Sequence, residues 1–197
     1  MLAIVDSGGA NIASVRFALE RLGVESALTA DPAVIRAADR VILPGVGSAP
    51  AGMQRLRDRG LVDCVRGLAR PVLGICLGLQ LLFDSSDEGP TDSLGLIPGR
   101  VALLPESPGI TVPHMGWNSL NLLRASPLLQ GFDASTRFYF VHSFGGPVNE
   151  FTLAACEHGA AFAAVVQRGN FFGVQFHPER SGAAGARLLQ NFLQMPA

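Results

Sequence analysis

From Leu2 to Phe83 the chain alternates short apolar runs with stretches whose apolar residues recur every three or four positions, and this alternation restricts the fold more than any other feature. Residues 2–5, 41–43 and 72–75 are apolar without a polar interruption, as expected of strands buried on both faces. Residues 24–28 read as a further strand. Between them Ile12, Val15, Leu19 and Leu22 lie at helical spacing, with Asn11 as N-cap and Gly23 as the stop. Asp31-Pro32 opens a short helix, Asp capping and Pro in the first turn. Residues 51–59, 61–68 and 77–83 read as helices. The pattern predicts an α/β fold: a mainly parallel sheet with helices on both faces. Such sheets take their ligands at the carboxyl ends of the strands. Pro44-Gly45-Val46-Gly47 and Cys76 both fall at such ends.

The second half is richer in short strands. Residues 137–143, 152–156, 162–167 and 171–177 alternate with turn signals such as Arg168-Gly169-Asn170, and the last three suit antiparallel hairpins. A final helix spans 183–193, with Leu188, Leu189, Phe192 and Leu193 for its buried face. No repeat, low-complexity tract or linker interrupts the chain, so 1–197 reads as a single domain, long enough for a sizeable core.

Composition removes several functional classes. With 48% hydrophobic and 16% charged residues the chain is not disordered. A net charge of -1 gives no electrostatic grip on nucleic acid or an anionic membrane. The strongest apolar run, 73–83, is too short to span a bilayer. The N-terminus has no basic region and meets Asp6 early, so it does not read as a signal peptide. Cys64, Cys76 and Cys156 are odd in number and widely spaced, which argues against a disulfide scaffold and for a reducing cytoplasm. All 15 basic residues are arginine. Without lysine, neither a Walker-type phosphate loop nor Schiff-base chemistry is possible. No Cys-x-x-Cys or His-x-x-x-His pair offers a metal site, and no cofactor is expected.

The residues that carry chemistry are few. Gly74-Ile75-Cys76-Leu77-Gly78 follows an apolar strand and opens a helix, the nucleophile-elbow pattern with cysteine in place of serine. The glycines permit the tight turn, and the helix N-terminus favours a thiolate and can receive an oxyanion. Taken alone, the pentapeptide equally fits an ordinary junction holding a buried cysteine. In Gln175-Phe176-His177-Pro178-Glu179, Pro178 biases His177 toward extended chain, where residues two apart share a side. Glu179 is then placed to hold one imidazole nitrogen while the other faces a nucleophile, as in a Cys–His–acid triad. A solvated surface pair gives the same local pattern. The two motifs together fit a doubly wound sheet with a thiol at one strand end and its base at another. The other histidines compete weakly: His142 lies in an aromatic strand as a wall residue, His114 in an apolar loop, and His158 in an exposed turn. Asp6 rivals Glu179 as the acid but suits bracing the glycine turn after the first strand. The 44–47 loop either merely ends a strand or presents backbone N–H groups to an anion. Beside a thiol nucleophile, Val46 supplies one half of an oxyanion hole and the Leu77 N–H the other.

These stretches resemble a known family. Residues 74–80 (GICLGLQ) and 175–179 (QFHPE) look like the signatures of class I, triad-type glutamine amidotransferases. Residues 113–118 (PHMGWN), 139–144 (YFVHSF), 44–47 (PGVG) and 175–182 (QFHPERSG) are similar to the glutaminase subunits of imidazole glycerol phosphate synthase. The resemblance runs over essentially the whole chain. It implies a flavodoxin-like sheet with a few antiparallel strands in the C-terminal half. It implies Cys76 as nucleophile, His177 as general base and later acid, and Glu179 as orienter. Gly47, Gln80, Glu88, Ser143 and Phe144 match positions that hold glutamine. Asn11, Ser14, Trp117, Tyr139 and Arg180 match positions near a partner, a TIM-barrel cyclase forming a heterodimer. Ammonia would pass to that partner, which makes imidazole glycerol phosphate and aminoimidazole carboxamide ribonucleotide. Glutaminase activity would be low in the isolated subunit, with the Gly45–Val46 peptide as the switch. One departure stands near the N-terminus: many members read Asp-Tyr-Gly-x-Gly-Asn where this chain has Asp6-Ser7-Gly8-Gly9-Ala10-Asn11. The alternatives are another amidotransferase of the class, serving anthranilate or pyridoxal phosphate synthesis, and a non-enzymatic α/β module that kept the fold alone.

Overall fold

A computed structural model of the chain describes residues 1–8, 12–106 and 108–196. In chain order the elements are β1 (Leu2–Val5), α1 (Ile12–Arg21), β2 (Ser26–Thr29), α2 (Pro32–Ala37), β3 (Arg40–Gly45), α3 (Ala49–Asp58), α4 (Val62–Arg66), β4 (Val72–Cys76) and α5 (Leu77–Gln80). Then come β5 (Phe83–Ser86), β6 (Thr91–Asp92), β7 (Ile97–Leu103), β8 (His114–Ser119), β9 (Asn121–Leu122), β10 (Arg137–His142) and β11 (Phe144–Gly145). The chain ends with β12 (Thr152–His158), β13 (Ala160–Arg168), β14 (Phe171–Val174), a 3-10 turn at Pro178–Arg180 and α6 (Gly182–Gln194).

The main sheet has the order β2-β1-β3-β4-β14-β13-β12-β9. Pairing is parallel from β2 through β14 and antiparallel from β14 to β9. Strand alternation sorts the apolar side chains into two cores. Leu2, Ile4, Ile42, Leu73 and Ile75 face α1 and α6, packing with Leu19, Leu188 and Phe192. Ala3, Val5, Val41, Leu43 and Val72 face α2, α3 and α4, packing with Ile35, Met53, Leu56 and Val65. Both sides of each central strand are therefore buried, which is why these segments carry no polar alternation.

Local signals set the helix ends. Asp31 Oδ1 accepts the Ala33 N–H at 2.8 Å and caps α2. Gly23 adopts φ 72 after α1, and its N–H donates to the Glu20 carbonyl at 2.9 Å. The Asn11 cap and the Ala10 departure lie outside the described residues.

Several boundaries differ from the sequence expectation. The helix expected over 77–83 ends at Gln80, because Phe83–Ser86 pairs instead with β7 in a second, four-stranded sheet of order β11-β7-β5-β6. Leu79, Leu81, Leu82 and Phe83 are all buried, so the apolar run fitted helix and strand equally. The strand expected over 24–28 begins at Ser26, and the one expected over 171–177 ends at Val174. Beyond that end His177 turns away and donates its N–H to the Tyr139 carbonyl at 2.9 Å. β8 and β10 form a separate two-stranded antiparallel ribbon, so His114 lies in a strand and is buried, not in a loop. His158 is half-buried at the end of β12, before the Gly159 turn at φ 74, rather than exposed.

Candidate active site

β3, β4 and β14 end side by side, and their ends meet in a cleft of about 450 Å³. Cys76 terminates β4 with φ 54 and ψ -110, the one non-glycine residue of positive φ among the described residues. That conformation lies outside the left-handed helical well and belongs to the glycine-dominated turns. Interlocked backbone holds it there. A Cβ on Gly74 would sit 2.6 Å from the Gly78 carbonyl oxygen, and one on Gly45 would sit 2.8 Å from the Gly78 nitrogen. A Cβ on Gly78 would collide with the Leu43 carbonyl. β3, β4 and α5 can approach this closely only because those three side chains are missing.

His177 stands at the neighbouring strand end. Its Nδ1 lies 2.8 Å from Glu179 Oε1, and the Glu179 side chain is fully buried. Burial by itself would lower the His177 pKa. Hydrogen bonds to Cys76 and Glu179, together with their charges, outweigh it and raise the value to about 10. The imidazole is thus a cation at neutral pH, placed between the Cys76 sulfur and a buried carboxylate. Asp6 is elsewhere: it accepts the Gly8 N–H at 3.0 Å and pairs with Arg59 at 3.0 Å, bracing the turn after β1.

The other expected residues collect around this pair. Val46, Gly47, Leu77, Gln80, Glu88, Ser143 and Phe144 line the cleft with Cys76 and His177. Gly47 adopts φ 92, and the carbonyls on either side of Gly45 are held, Pro44 by the Ser7 hydroxyl at 3.0 Å and Val46 by Arg55 at 3.0 Å. Glu88 Oε2 accepts the Ala49 N–H at the start of α3, at 2.7 Å. Gln80 Nε2 donates to the Phe144 carbonyl at 2.7 Å and to Gln175 Oε1 at 3.1 Å.

Trp117 is 51% exposed and stacks edge-on with the half-buried Tyr139, ring centroids 6.0 Å apart. Arg180 is exposed and lines the cleft as well, and Ser14 is half-buried on α1. Asn11 lies outside the described residues.

Two residues of the site escaped the sequence reading. Gln175 is fully buried and directs its Nε2 to Cys76 Sγ at 3.8 Å. Ser181 is also buried; its hydroxyl donates to the His177 carbonyl at 2.7 Å and accepts the Tyr139 N–H at 2.9 Å. A pointer to Gln175 was present, since it is two residues before His177 in extended chain and so shares its side. Nothing local pointed to Ser181.

The arrangement is suited to acyl transfer from a carboxamide. It combines a cysteine sulfur lining the cleft, an adjacent imidazolium held by a carboxylate, and a helix N-terminus beside the sulfur. Comparison with known proteins narrows it. Residues 3–195 match the family model for glutamine amidotransferase class-I. The chain is similar to the imidazole glycerol phosphate synthase subunit HisH of Xylella fastidiosa (strain Temecula1 / ATCC 700964), with 55% identity over 100% of this chain and 98% of the relative. It is equally similar to the HisH of Xanthomonas euvesicatoria pv. vesicatoria (strain 85-10), with 55% identity over 98% of this chain and 97% of that one. Among solved structures, a glutamine amidotransferase superposes with TM-score 0.75 at 21% identity, over 98% of this chain and 97% of the other. That likeness concerns the fold alone.

Proposed function

The chain belongs to the class-I glutamine amidotransferases, and within them to the HisH subunits of imidazole glycerol phosphate synthase; from that membership we propose that Cys76, His177 and Glu179 are its catalytic triad. The protein is the glutamine-hydrolysing subunit of that synthase, in histidine biosynthesis. The observation that carries the triad reading is the strained Cys76 elbow beside an imidazole whose far nitrogen is 2.8 Å from a buried carboxylate.

The mechanism proceeds from the charge states of the site. Cys76 Sγ, whose proton is carried by His177, attacks the side-chain carbonyl carbon of glutamine. The negative charge on the carbonyl oxygen is received by the N–H groups of Val46 and Leu77. His177, charged at rest, gives its proton to the departing amine, and ammonia leaves with a γ-glutamyl thioester on Cys76. Water then attacks the thioester while His177 takes a proton, and glutamate is released. Glu179 keeps the imidazole in one orientation and stabilises its cationic form throughout. Gly47, Gln80, Glu88, Ser143 and Phe144 hold the amino-acid end of glutamine, with Glu88 attracting the α-ammonium. We read 1–197 as one catalytic domain.

As a HisH subunit the chain delivers ammonia to a TIM-barrel cyclase in a heterodimer, docked on the face that carries Ser14, Trp117, Tyr139 and Arg180. Docking resets the Gly45–Val46 peptide and raises the activity. No helix among the described residues is long and apolar enough to cross a membrane, and the three cysteines are free and buried, which suits a reducing cytoplasm. The test is a glutaminase assay with and without the cyclase and its nucleotide. Cys76→Ala should abolish glutamine hydrolysis and leave ammonia-driven synthesis by the complex intact. Equal loss of both activities would overturn the reading.

A further inference from the structure

From the cleft wall inward runs a polar chain that the triad mechanism does not use. His142, at the end of β10, approaches the Phe144 carbonyl with Nδ1 at 2.8 Å. Its Nε2 lies 3.1 Å from His114 Nδ1, and His114 Nε2 lies 3.3 Å from Asn118 Nδ2. Both histidines are buried, and His114 is stacked between Phe140 at 4.7 Å and His158 at 4.2 Å.

The neighbours dictate where the protons sit. Asn118 Oδ1 accepts the Ser119 N–H at 2.8 Å, and its Nδ2 donates to the Glu157 carbonyl at 3.1 Å, so the amide cannot be reversed. His114 Nε2 therefore faces a donor and must be an acceptor, which puts the His114 proton on Nδ1. That proton points at His142 Nε2, which must then accept, leaving the His142 proton on Nδ1 facing the Phe144 carbonyl. One pair of neutral tautomers satisfies every contact. Burial acts in the same direction, lowering His114 to about 4 and His142 to about 3, with nearby histidine charges adding to the effect.

The Phe144 carbonyl at the end of this chain receives two donors, His142 Nδ1 and Gln80 Nε2, which fill both of its lone pairs. The preceding carbonyl, of Ser143, accepts the Leu104 N–H at 2.9 Å. The cleft wall is thus set by protein donors and not by what binds. On the other side the chain reaches β8, whose alternate residues Met115 and Trp117 point outward and are the most exposed large apolar side chains of the ribbon.

We propose that His142 and His114 are positioning residues for the glutamine pocket, a tautomer-locked pair that clamps the Phe144 carbonyl and holds the cleft wall in register with β8. The proposal rests on the glutaminase reading above and deepens it. Neither imidazole touches the reacting atoms, so their loss weakens glutamine binding and spares the chemical step.

The experiment is steady-state glutamine hydrolysis by the complex of this chain with its cyclase, for the wild type and two pairs of variants. His142→Phe keeps a ring among Phe140 and Phe162 but removes the donor. The KM for glutamine should rise about five- to tenfold, the scale of one neutral hydrogen bond, with kcat within about twofold. His142→Asn places an amide nitrogen where Nδ1 was and should return KM to within about threefold of wild type. His114→Phe, which frees the His142 tautomer, should raise KM about threefold, and His114→Asn should restore it. An unchanged KM in His142→Phe overturns the proposal, as does an Asn variant no better than its Phe counterpart, because shape and not the donor would then be at work. If His142→Phe does not fold, the His114 pair decides by the same criterion. A wild-type complex that does not hydrolyse glutamine refutes the glutaminase reading itself, whereas an active wild type beside an insensitive variant refutes the positioning role alone.

Discussion

Ser181→Ala removes one oxygen from a place where two strand ends and the catalytic base meet. The hydroxyl donates to the His177 carbonyl at 2.7 Å and accepts the Tyr139 N–H at 2.9 Å, and the residue is buried. The two losses are unequal. The His177 carbonyl keeps the Arg180 N–H as a donor at 3.0 Å. Tyr139 keeps no such reserve on its N–H, because its carbonyl, not its nitrogen, carries the second link to this segment, accepting the His177 N–H at 2.9 Å. A buried donor without an acceptor costs about 1–3 kcal/mol, and the lost bond to His177 adds about 1 kcal/mol, for a total of about 2–4 kcal/mol. In a chain of this size each kcal/mol moves the melting temperature by about 2–4 °C, so a drop of roughly 5–15 °C is expected. The Ser181 hydroxyl does not cap α6, so helix fraying is no part of the effect. The same loosening reaches His177, and kcat for glutamine should fall several-fold with KM little changed. Thermal melting of the isolated chain and steady-state kinetics of the complex read both quantities. A melting temperature within about 2 °C of wild type together with an unchanged kcat would refute the reasoning.

The remaining predictions concern protons, packing and reactivity. His114 and His142 are held neutral while their unfolded counterparts titrate near 6.5, so between that pH and about 4 for His114, or about 3 for His142, the unfolded chain binds more protons and stability falls as pH falls. From pH 7 to 5 each contributes a loss of at most about 2 kcal/mol, visible as a lower urea midpoint. His177 works in the opposite sense: the folded imidazole, with its pKa raised to about 10, stays charged while its unfolded counterpart titrates near 6.5, so it adds back at most about 1 kcal/mol from pH 7 to 5. Charge on the neighbouring His177, and on His158 stacked against His114, acts in the same direction as burial on the His114 and His142 pair; a flat midpoint from pH 7 to 5 would contradict the assignment. Gly78→Ala drives a methyl into the Leu43 carbonyl and should destabilise by about 3 kcal/mol or more, measured by denaturant unfolding, with loss of glutaminase activity. His177→Asn removes the cation beside Cys76 and should slow alkylation by iodoacetamide at neutral pH about tenfold or more; an unchanged rate would exclude pairing of the two side chains.

The parts of the molecule that were legible in the sequence are those whose reasons are local. The central strands announce themselves because both faces of Val41, Ile42, Leu73 and Val72 are covered, and the elbow does so because glycines must flank Cys76 for backbone to touch backbone. The second sheet was hidden because Phe83–Ser86 becomes a strand only through its pairing with Ile97–Leu103, while Leu79 to Phe83 is apolar on every face. β8 was hidden by Pro113 and by Gly116, whose φ of 132 breaks the usual strand geometry. Gln175 and Ser181 gain their roles from partners far along the chain: Gln80 for the first, Tyr139 for the second. No periodicity encodes contacts of that range, and a buried serine before a helix looks like any N-cap.

The conformation of Cys76 also bears on how this chain can change over time. A cysteine held at φ 54 and ψ -110 costs the fold on the order of 1–3 kcal/mol that glycine would not. Under selection for stability alone, drift at this position therefore runs toward glycine and away from the thiol. Because the turn is imposed by the backbones of residues 45, 74 and 78, that substitution would leave the surrounding architecture standing. A lineage released from the need for glutamine hydrolysis could lose its nucleophile first and keep a well-folded, inert domain, free to serve as a docking module.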